Sequence, residues 1–158
     1  MAKAIYDDLV FYDFEAADAS ELIRKLGAEF ERKGFVKDTY VDAVAARELE
    51  YPTGLQLDGF AVAMPHTSGV HVNTPAIGVA RLKHPVTFGH MGDPEHLVEA
   101  ELIFMMAILD PDDQIEWLRS VMKVFTNKEM MSELCFANNR EELLEAVKKN
   151  IGVETVDA

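Results

Sequence analysis

The sequence has one cysteine, few basic residues and no long apolar run, and each shortage excludes a class of protein. Because Cys135 stands alone, the chain cannot form an internal disulfide or a cysteine-based zinc site. The longest uninterrupted apolar run, Leu102–Leu109, is far too short to cross a bilayer. The amino terminus lacks the apolar stretch and cleavage site of a secretory signal. We therefore expect a protein of a reducing, cytoplasmic compartment with no membrane insertion.

Basic residues are scarce beside acidic ones: 15 Lys and Arg against 28 Asp and Glu give a formal net charge of −13. This balance disfavours a general affinity for nucleic acid and indicates that a protein partner is basic where it touches the chain. Gly and Pro are scattered rather than pooled, and no internal repeat is visible. We expect residues 1–158 to form a single domain, and we predict no cofactor.

The spacing of apolar residues predicts helices interleaved with strands, which is typical of an α/β fold. Four helices are predicted. The first starts at Asp18, which caps it and forms a capping box with Glu21, and the second starts at Asp38. The third follows the aspartates at 110, 112 and 113, and the fourth starts at Arg140. The side chains expected to face inward are Leu22, Ile23, Leu26, Phe30, Val41, Val44, Ala45, Leu49, Ile115, Leu118, Val121, Met122, Phe125, Leu143, Leu144 and Val147. The predicted strands are Phe60–Met64, Ala76–Leu82 and 100–109. We expect a mixed sheet of about five strands with helices packed on both faces.

Five histidines are the main groups that titrate near neutral pH. His84, His90 and His96 lie in polar sequence and are interpreted as solvated loop residues, and His71 could line a site or flank a strand. His66 differs because it follows an apolar strand and Pro65, which places it at the carboxyl end of that strand, where ligands bind in open α/β sheets. On these grounds alone, a histidine that caps the strand and bonds a neighbouring carbonyl is as good an interpretation as a functional one.

An ordered set of short motifs carries a resemblance to a known family. The motifs are Arg47-Glu48, Pro52-Thr53-Gly54, Phe60 to Thr67 with Met64-Pro65-His66, Pro75-Ala76-Ile77, Pro85-Val86-Thr87-Phe88, the apolar strand ending at Leu109, and Glu141-Glu142-Leu143-Leu144. Together they resemble the enzyme IIA domains of the bacterial phosphoenolpyruvate-dependent sugar phosphotransferase system, in the fructose and mannitol superfamily. The stretch from Ala46 to Gly54 is most similar to the galactitol-type members.

The resemblance implies a phosphoryl carrier. His66 matches the histidine that accepts a phosphoryl group from phospho-HPr and passes it to a cysteine of enzyme IIB, from which the membrane component IIC delivers it to the sugar. Arg47 matches an arginine that pairs with phosphoryl oxygens, and Thr67 could donate a hydrogen bond to them. Gln114 stands where many members have a second histidine, so it can donate but cannot become cationic. The sequence does not say which nitrogen of His66 reacts or which sugar is transported.

Two other functions stay open at this point. The domain could accept phosphate and signal by binding a protein, as nitrogen-type enzyme IIA proteins do. A metal-dependent hydrolase could use His66, His71 and Asp110, but His66 and His71 are five residues apart, which places them on one face of neither a helix nor a strand.

Overall fold

Two long strands form the centre of the molecule in the computed structural model, which describes residues 3–151 and 154–156. They pair antiparallel from Ala76 opposite Ala107 to His90 opposite Asp93. The elements in chain order are β1 (Lys3–Phe14), α1 (Ala19–Arg32), α2 (Tyr40–Glu50), β2 (Gly54–Gln56), β3 (Ala61–Ala63), a 3₁₀ turn (Gly69–His71), β4 (Ala76–His90), β5 (Asp93–Ala107), α3 (Pro111–Phe125), α4 (Lys128–Cys135), α5 (Arg140–Asn150) and β6 (Glu154–Val156).

The strands make one mixed sheet in the order β2-β3-β5-β4-β1-β6. β1 runs parallel to β4 and to β6, and β3 runs parallel to β5, whereas β2 with β3 and β4 with β5 are antiparallel. The predicted α/β class and mixed sheet are confirmed. Within the described residues the sheet has six strands, because the short β6 adds to the five that form its main body.

Each face of the sheet is covered by its own set of helices. On one face, α3, α4 and α5 pack on the sheet around Trp117, Val121 and Leu143. On the other face, α1 and α2 pack through Leu22, Phe30 and Val44. The prediction that helices lie on both faces is therefore confirmed. Among the described residues, no helix combines the length and the apolar character that a membrane span requires.

Three of the four predicted helix starts are confirmed. The Asp18 carboxylate accepts from the Glu21 N–H at 2.8 Å, and the Asp110 carboxylate accepts from the Asp112 N–H at 2.9 Å. α5 begins at Arg140, as predicted. Each cap satisfies a backbone donor that has no partner within its own helix, so the local sequence alone sets these boundaries.

The start and the inner face of α2 differ from the prediction. The residue before the helix is Thr39 rather than Asp38, and its side chain makes no capping bond because its hydroxyl pairs with His71 Nδ1 at 2.8 Å. Leu49, expected inside, is 87% exposed, since the buried stripe of α2 consists of Tyr40, Val44 and Glu48 at intervals of four residues. In α3, likewise, Ile115 and Met122 are exposed, and Trp117 and Val124 are buried.

The interpretation of three histidines as loop residues is wrong. His84 and His90 lie in β4, and His96 lies in β5. The two strands extend well beyond their apolar halves and turn at Gly92, whose φ of 80° suits glycine. Pro85 lies where the register shifts between Arg81 and Val86, a place where a strand tolerates proline.

Candidate active site

His66 lies at the edge where the parallel strands β3 and β5 end. Two residues beyond β3, Pro65 accepts a hydrogen bond from the Met106 N–H at 3.0 Å, and His66 forms a parallel bridge with Met106. This bridge continues the β3–β5 pairing to the rim of the sheet, where the chain leaves the core. The half-buried imidazole is therefore carried by backbone that is held on the sheet, at the edge where open α/β sheets bind ligands.

One ring nitrogen of His66 is already engaged. Nδ1 lies 2.8 Å from the Met64 carbonyl oxygen. A carbonyl only accepts hydrogen bonds, so Nδ1 carries the proton and Nε2 keeps the free lone pair. Burial lowers the pKa of His66, and the positive charge of Arg47 lowers it further, whereas the bond to Met64 opposes both effects. The imidazole is therefore neutral near neutral pH, with Nε2 available as a nucleophile.

A second group of polar side chains lies behind the Met64 backbone. The Met64 N–H donates to Thr53 Oγ1 at 3.1 Å, and the Thr53 hydroxyl donates to Glu48 Oε1 at 2.8 Å. The Thr53 N–H donates to Glu48 Oε2 at 2.6 Å, so Thr53 uses both oxygens of the carboxylate. Glu48 and Thr53 are the two buried polar side chains among the described residues. Burial raises the pKa of Glu48 to about 7, against the opposing hydrogen bonds from Thr53.

Arg47 is half-buried near the end of α2. Its guanidinium carbon lies 5.6 Å from the centre of the Tyr51 ring, a cation–π distance. Within the described residues the side chain forms no ion pair, although its charge acts on both His66 and Glu48. A guanidinium that is placed by an aromatic ring and free of a carboxylate partner can pair with an incoming anion.

Thr67 and Gln114 are both half-buried, on different segments of the same region. Thr67 follows His66 directly, and Gln114 lies in the first turn of α3. A side chain at Gly69 would meet the Leu109 carbonyl oxygen at 2.2 Å, so the turn after His66 packs against the backbone that leads into α3. Over residues 3–151, no hydrogen bond joins His66 to either Thr67 or Gln114.

Other groups that the sequence singled out lie in different surroundings. His71 Nδ1 pairs with the Thr39 hydroxyl, and the rings of His90 and His96 lie 5.2 Å apart in the outer hairpin. No group of three or more His, Cys, Asp or Glu side chains in the described part of the chain could hold a metal ion. Cys135 is buried, and burial raises the pKa of its thiol to about 12, the reverse of a reactive cysteine.

Glu48 and Thr53 lie within the sequence motifs, but those motifs do not predict their contact with each other or with Met64. The signal was a glutamate four residues after Val44 on the inner stripe of α2, where an apolar residue is expected. A charged residue at such a position indicates a buried partner.

Comparison with known protein families matches residues 4–150 to the model of the family described as "Phosphoenolpyruvate-dependent sugar phosphotransferase system, EIIA 2". The chain belongs to this family. A relative supports the galactitol-type branch: the galactitol-specific EIIA component of Escherichia coli (strain K12) is 35% identical over 102 residues, which cover 65% of this chain and 67% of that protein.

Solved structures show the same EIIA 2 fold. Enzyme IIAMtl from Escherichia coli, in its complex with phosphorylated enzyme IIBMtl, superposes with a TM-score of 0.73 at 23% identity, covering 90% of this chain and 95% of that one. The nitrogen regulatory protein IIA-Ntr from Neisseria meningitidis superposes with a TM-score of 0.72 at 23% identity, covering 90% and 96%. The resemblance deduced from the sequence motifs is thus confirmed at the level of family and fold.

Proposed function

We propose that this EIIA 2 chain carries a phosphoryl group on Nε2 of His66, accepting it from phospho-HPr and passing it to a cysteine of an enzyme IIB component. The observation that carries the proposal is the bond from Nδ1 to the Met64 carbonyl, which leaves Nε2 as the one free ring nitrogen. The lowered pKa of the ring supports the same role, because only a neutral imidazole can attack phosphorus.

The transfer needs positioning and charge compensation more than a strong base. The Nε2 lone pair attacks the phosphorus of the donor phosphohistidine, the donor P–N bond breaks, and its electron pair returns to the donor ring. The His66 ring then carries both the phosphoryl group and the Nδ1 proton, so it gains positive charge. The Met64 carbonyl, which accepts from Nδ1–H, stabilises that charge. The second transfer repeats these steps with a thiolate of IIB as the nucleophile.

Three further residues are proposed to hold the phosphoryl oxygens. Arg47 supplies the positive charge and can pair with two oxygens at once. Thr67 offers its hydroxyl and its backbone N–H directly beside the nucleophile. Gln114 donates from a neutral amide, so this chain requires only one histidine for the transfer.

The surroundings of His66 are suited to protein partners. The segments that carry the candidate site also carry large exposed apolar side chains: Leu49, Tyr51, Val70, Leu109 and Ile115. Apolar groups around a charged centre are typical of protein docking surfaces. The net charge of −13 would steer a basic partner such as HPr toward the chain. Residues 1–158 would thus act as one cytoplasmic EIIA domain that reaches the membrane component IIC through IIB.

The test is phosphorylation by purified components. Incubation with phosphoenolpyruvate, enzyme I and HPr should add one acid-labile phosphoryl group, and His66→Ala should abolish the mass gain. His84→Ala is the matched control, because His84 is exposed in the outer hairpin, and it should be labelled like the unchanged protein. An unlabelled protein with cognate components, or equal labelling of His66→Ala, would exclude the proposal.

The substrate and the role in transport are tested at the next step. The 35% identity to a galactitol-specific component favours onward transfer to a galactitol-type IIB and a sugar alcohol as the final acceptor. The regulatory alternative predicts instead a phosphorylated protein that retains its phosphate in the presence of IIB and changes its affinity for another protein. Chasing the labelled protein with galactitol-type IIB separates the two, and genes for IIB and IIC next to this one would favour transport.

A further inference from the structure

A chain of hydrogen bonds connects the buried carboxylate of Glu48 to the imidazole of His66. It passes through the Thr53 hydroxyl and the two polar groups of the Met64 backbone. Each contact is between 2.8 and 3.1 Å, and Thr53 is 3% exposed and Glu48 9% exposed. The proposed transfer chemistry does not use Glu48 or Thr53, so their burial beside the site needs a separate explanation.

A carboxylate in this position is costly to the fold. Removing a charged group from water is unfavourable unless hydrogen bonds or an opposite charge compensate for it. Glu48 has no ion pair among the described residues, and its two oxygens are both satisfied by Thr53. A leucine at this position of α2 would pack on the same core without that cost, which indicates that the pair does something other than stabilise.

The geometry of Thr53 shows what the pair achieves. The threonine hydroxyl has one proton, and Glu48 Oε1 accepts it, so the remaining lone pairs of Oγ1 are free to accept the Met64 N–H. The bond from the Thr53 N–H to Oε2 fixes the threonine backbone as well. Met64 is therefore held in one orientation by a partner that is itself held at two points.

The Pro65–His66 peptide is held as well, by β5. The Met106 N–H, on β5, donates to the Pro65 carbonyl at 3.0 Å. Between these two anchors lies the Met64 carbonyl, which accepts from His66 Nδ1. Its direction decides which ring nitrogen carries the proton, since a carbonyl that turned away would leave both tautomers available to the ring.

We propose that Glu48 and Thr53 are positioning residues that hold the Met64 carbonyl against Nδ1 of His66 and thereby keep Nε2 free for phosphoryl transfer. The consequence for catalysis rests on the proposed function of His66, whereas the effect on the tautomer does not. Glu48 and Thr53 touch neither the reacting nitrogen nor the donor, so they act only through Met64.

Threonine variants give the sharpest test. Thr53→Val keeps the shape of the side chain and removes both hydroxyl bonds, whereas Thr53→Ser keeps the hydroxyl. Thr87→Val is the matched control, because Thr87 also donates to a glutamate, Glu99, at 2.7 Å, but on the exposed hairpin. Nitrogen-15 NMR of the imidazole, at a pH where His66 is neutral, measures the tautomer directly. Phosphorylation kinetics with phospho-HPr measure its consequence.

The unchanged protein, Thr53→Ser and Thr87→Val should show the Nδ1–H form of His66 almost alone. Thr53→Val should show a mixture of both tautomers and a kcat lower by about tenfold, the lower end of the usual effect of groups that orient a ligating histidine. The KM for phospho-HPr should stay the same, because the docking surface is untouched. A loss of stability alone would not change the tautomer of the folded fraction or spare Thr53→Ser.

An unchanged tautomer together with an unchanged kcat in Thr53→Val would overturn the proposal. If Thr53→Val does not fold, Glu48→Gln takes its place. The glutamine can accept a hydrogen bond from only one of the two Thr53 donors. A shift toward the other tautomer of His66 therefore supports the proposal, and an unshifted tautomer contradicts it. A further outcome separates the two proposals. If neither the unchanged protein nor any variant is phosphorylated, but Thr53→Val still shifts the tautomer of His66, the proposed function fails and the positioning role stands.

Discussion

Within the residues that the structure describes, two hydrogen bonds run from a threonine hydroxyl to a glutamate, and they have almost equal lengths but very different surroundings. Thr53 donates to Glu48 at 2.8 Å behind His66, where both residues are buried. Thr87 donates to Glu99 at 2.7 Å across β4 and β5 in the outer hairpin, where both are exposed. The bond is the same, but only the buried pair is connected to further polar groups. Burial and connection, rather than the bond itself, distinguish the candidate site from the rest of the surface.

The histidines support the same distinction. The outer hairpin contains His84, His90 and His96, more imidazole than the candidate site, and His90 Nδ1 even lies 2.7 Å from the Met91 carbonyl oxygen. Within the part of the chain that the structure describes, however, no buried carboxylate lies behind these three rings. His66 differs because the backbone of Met64, whose carbonyl accepts from its Nδ1, is itself held by the buried pair Thr53 and Glu48. A concentration of titratable side chains therefore identifies a site less well than one side chain whose backbone is held by buried partners.

The largest expected difference between the two pairs is in how stability depends on pH. The folded protein raises the pKa of Glu48 from 4.5 to about 7, so between these values the folded state binds more protons than the unfolded state. This group therefore makes the protein less stable as pH rises through that window. Glu48→Gln lacks the effect, so its stability relative to the unchanged protein should rise by about 3 kcal/mol from below pH 4.5 to above pH 7.

Urea unfolding of both proteins at several pH values measures this difference. Other groups titrate in the same window, including the carboxylates elsewhere in the chain, but they are common to both proteins and cancel. Glu99→Gln is the control, and its difference should stay within about 0.5 kcal/mol at every pH because the pair is exposed. A flat difference for Glu48→Gln would show that Glu48 has the same pKa in the folded and unfolded states, and hence that burial does not raise it.

The sequence was sufficient to predict those parts of the fold that depend on local chemistry. The caps Asp18 and Asp110 and the start of α5 follow from side chains that satisfy nearby backbone donors. At Asp38 the prediction is wrong: the residue before α2 is Thr39, and its hydroxyl pairs with His71, 32 residues away in the sequence, instead of capping the helix. Distant partners of this kind leave no trace in local spacing.

The outer hairpin shows a second kind of limit. Val86 and Phe88 alternate with exposed residues, a strand signal that the polar surroundings of the histidines concealed. In the candidate site, the position of His66 at the end of an apolar strand was visible from the sequence. The tautomer of His66 could not be predicted from the sequence, because it depends on the Met64 carbonyl. The contact of Glu48 with Thr53 could not be predicted either, because it requires the chain to turn at Pro52.

Arg47 provides the next test of the difference between the candidate site and the hairpin. Arg47→Ala should lower the rate of phosphoryl transfer about a hundredfold, the usual effect of removing one group that stabilises developing charge. Arg47→Lys should restore part of the rate, since an ammonium keeps the charge and loses the paired geometry. Lys83→Ala removes an exposed cation from the hairpin and should leave the rate unchanged.

Titration of His66 by NMR provides an independent reading of the same variant. Because the charge of Arg47 helps to lower the pKa of His66, Arg47→Ala should raise that pKa. An unchanged pKa together with an unchanged rate would place the guanidinium too far from the ring to act on it. A raised pKa with a normal rate would leave Arg47 as an electrostatic neighbour that does not touch the phosphoryl group.

The smallest expected effect concerns docking, and it compares the two ends of the long hairpin. Val70, four residues after His66, is 69% exposed. Leu97 on β5 is 64% exposed and lies about 30 Å along the strand from Met106, which pairs with His66. Val70→Asp should raise the KM for phospho-HPr about tenfold, with little change in kcat, because it places a charge in an apolar contact without touching His66. Leu97→Asp makes the same chemical change outside that contact and should behave like the unchanged protein. Equal effects of the two substitutions would mean that added negative charge, rather than the surface beside His66, determines the encounter.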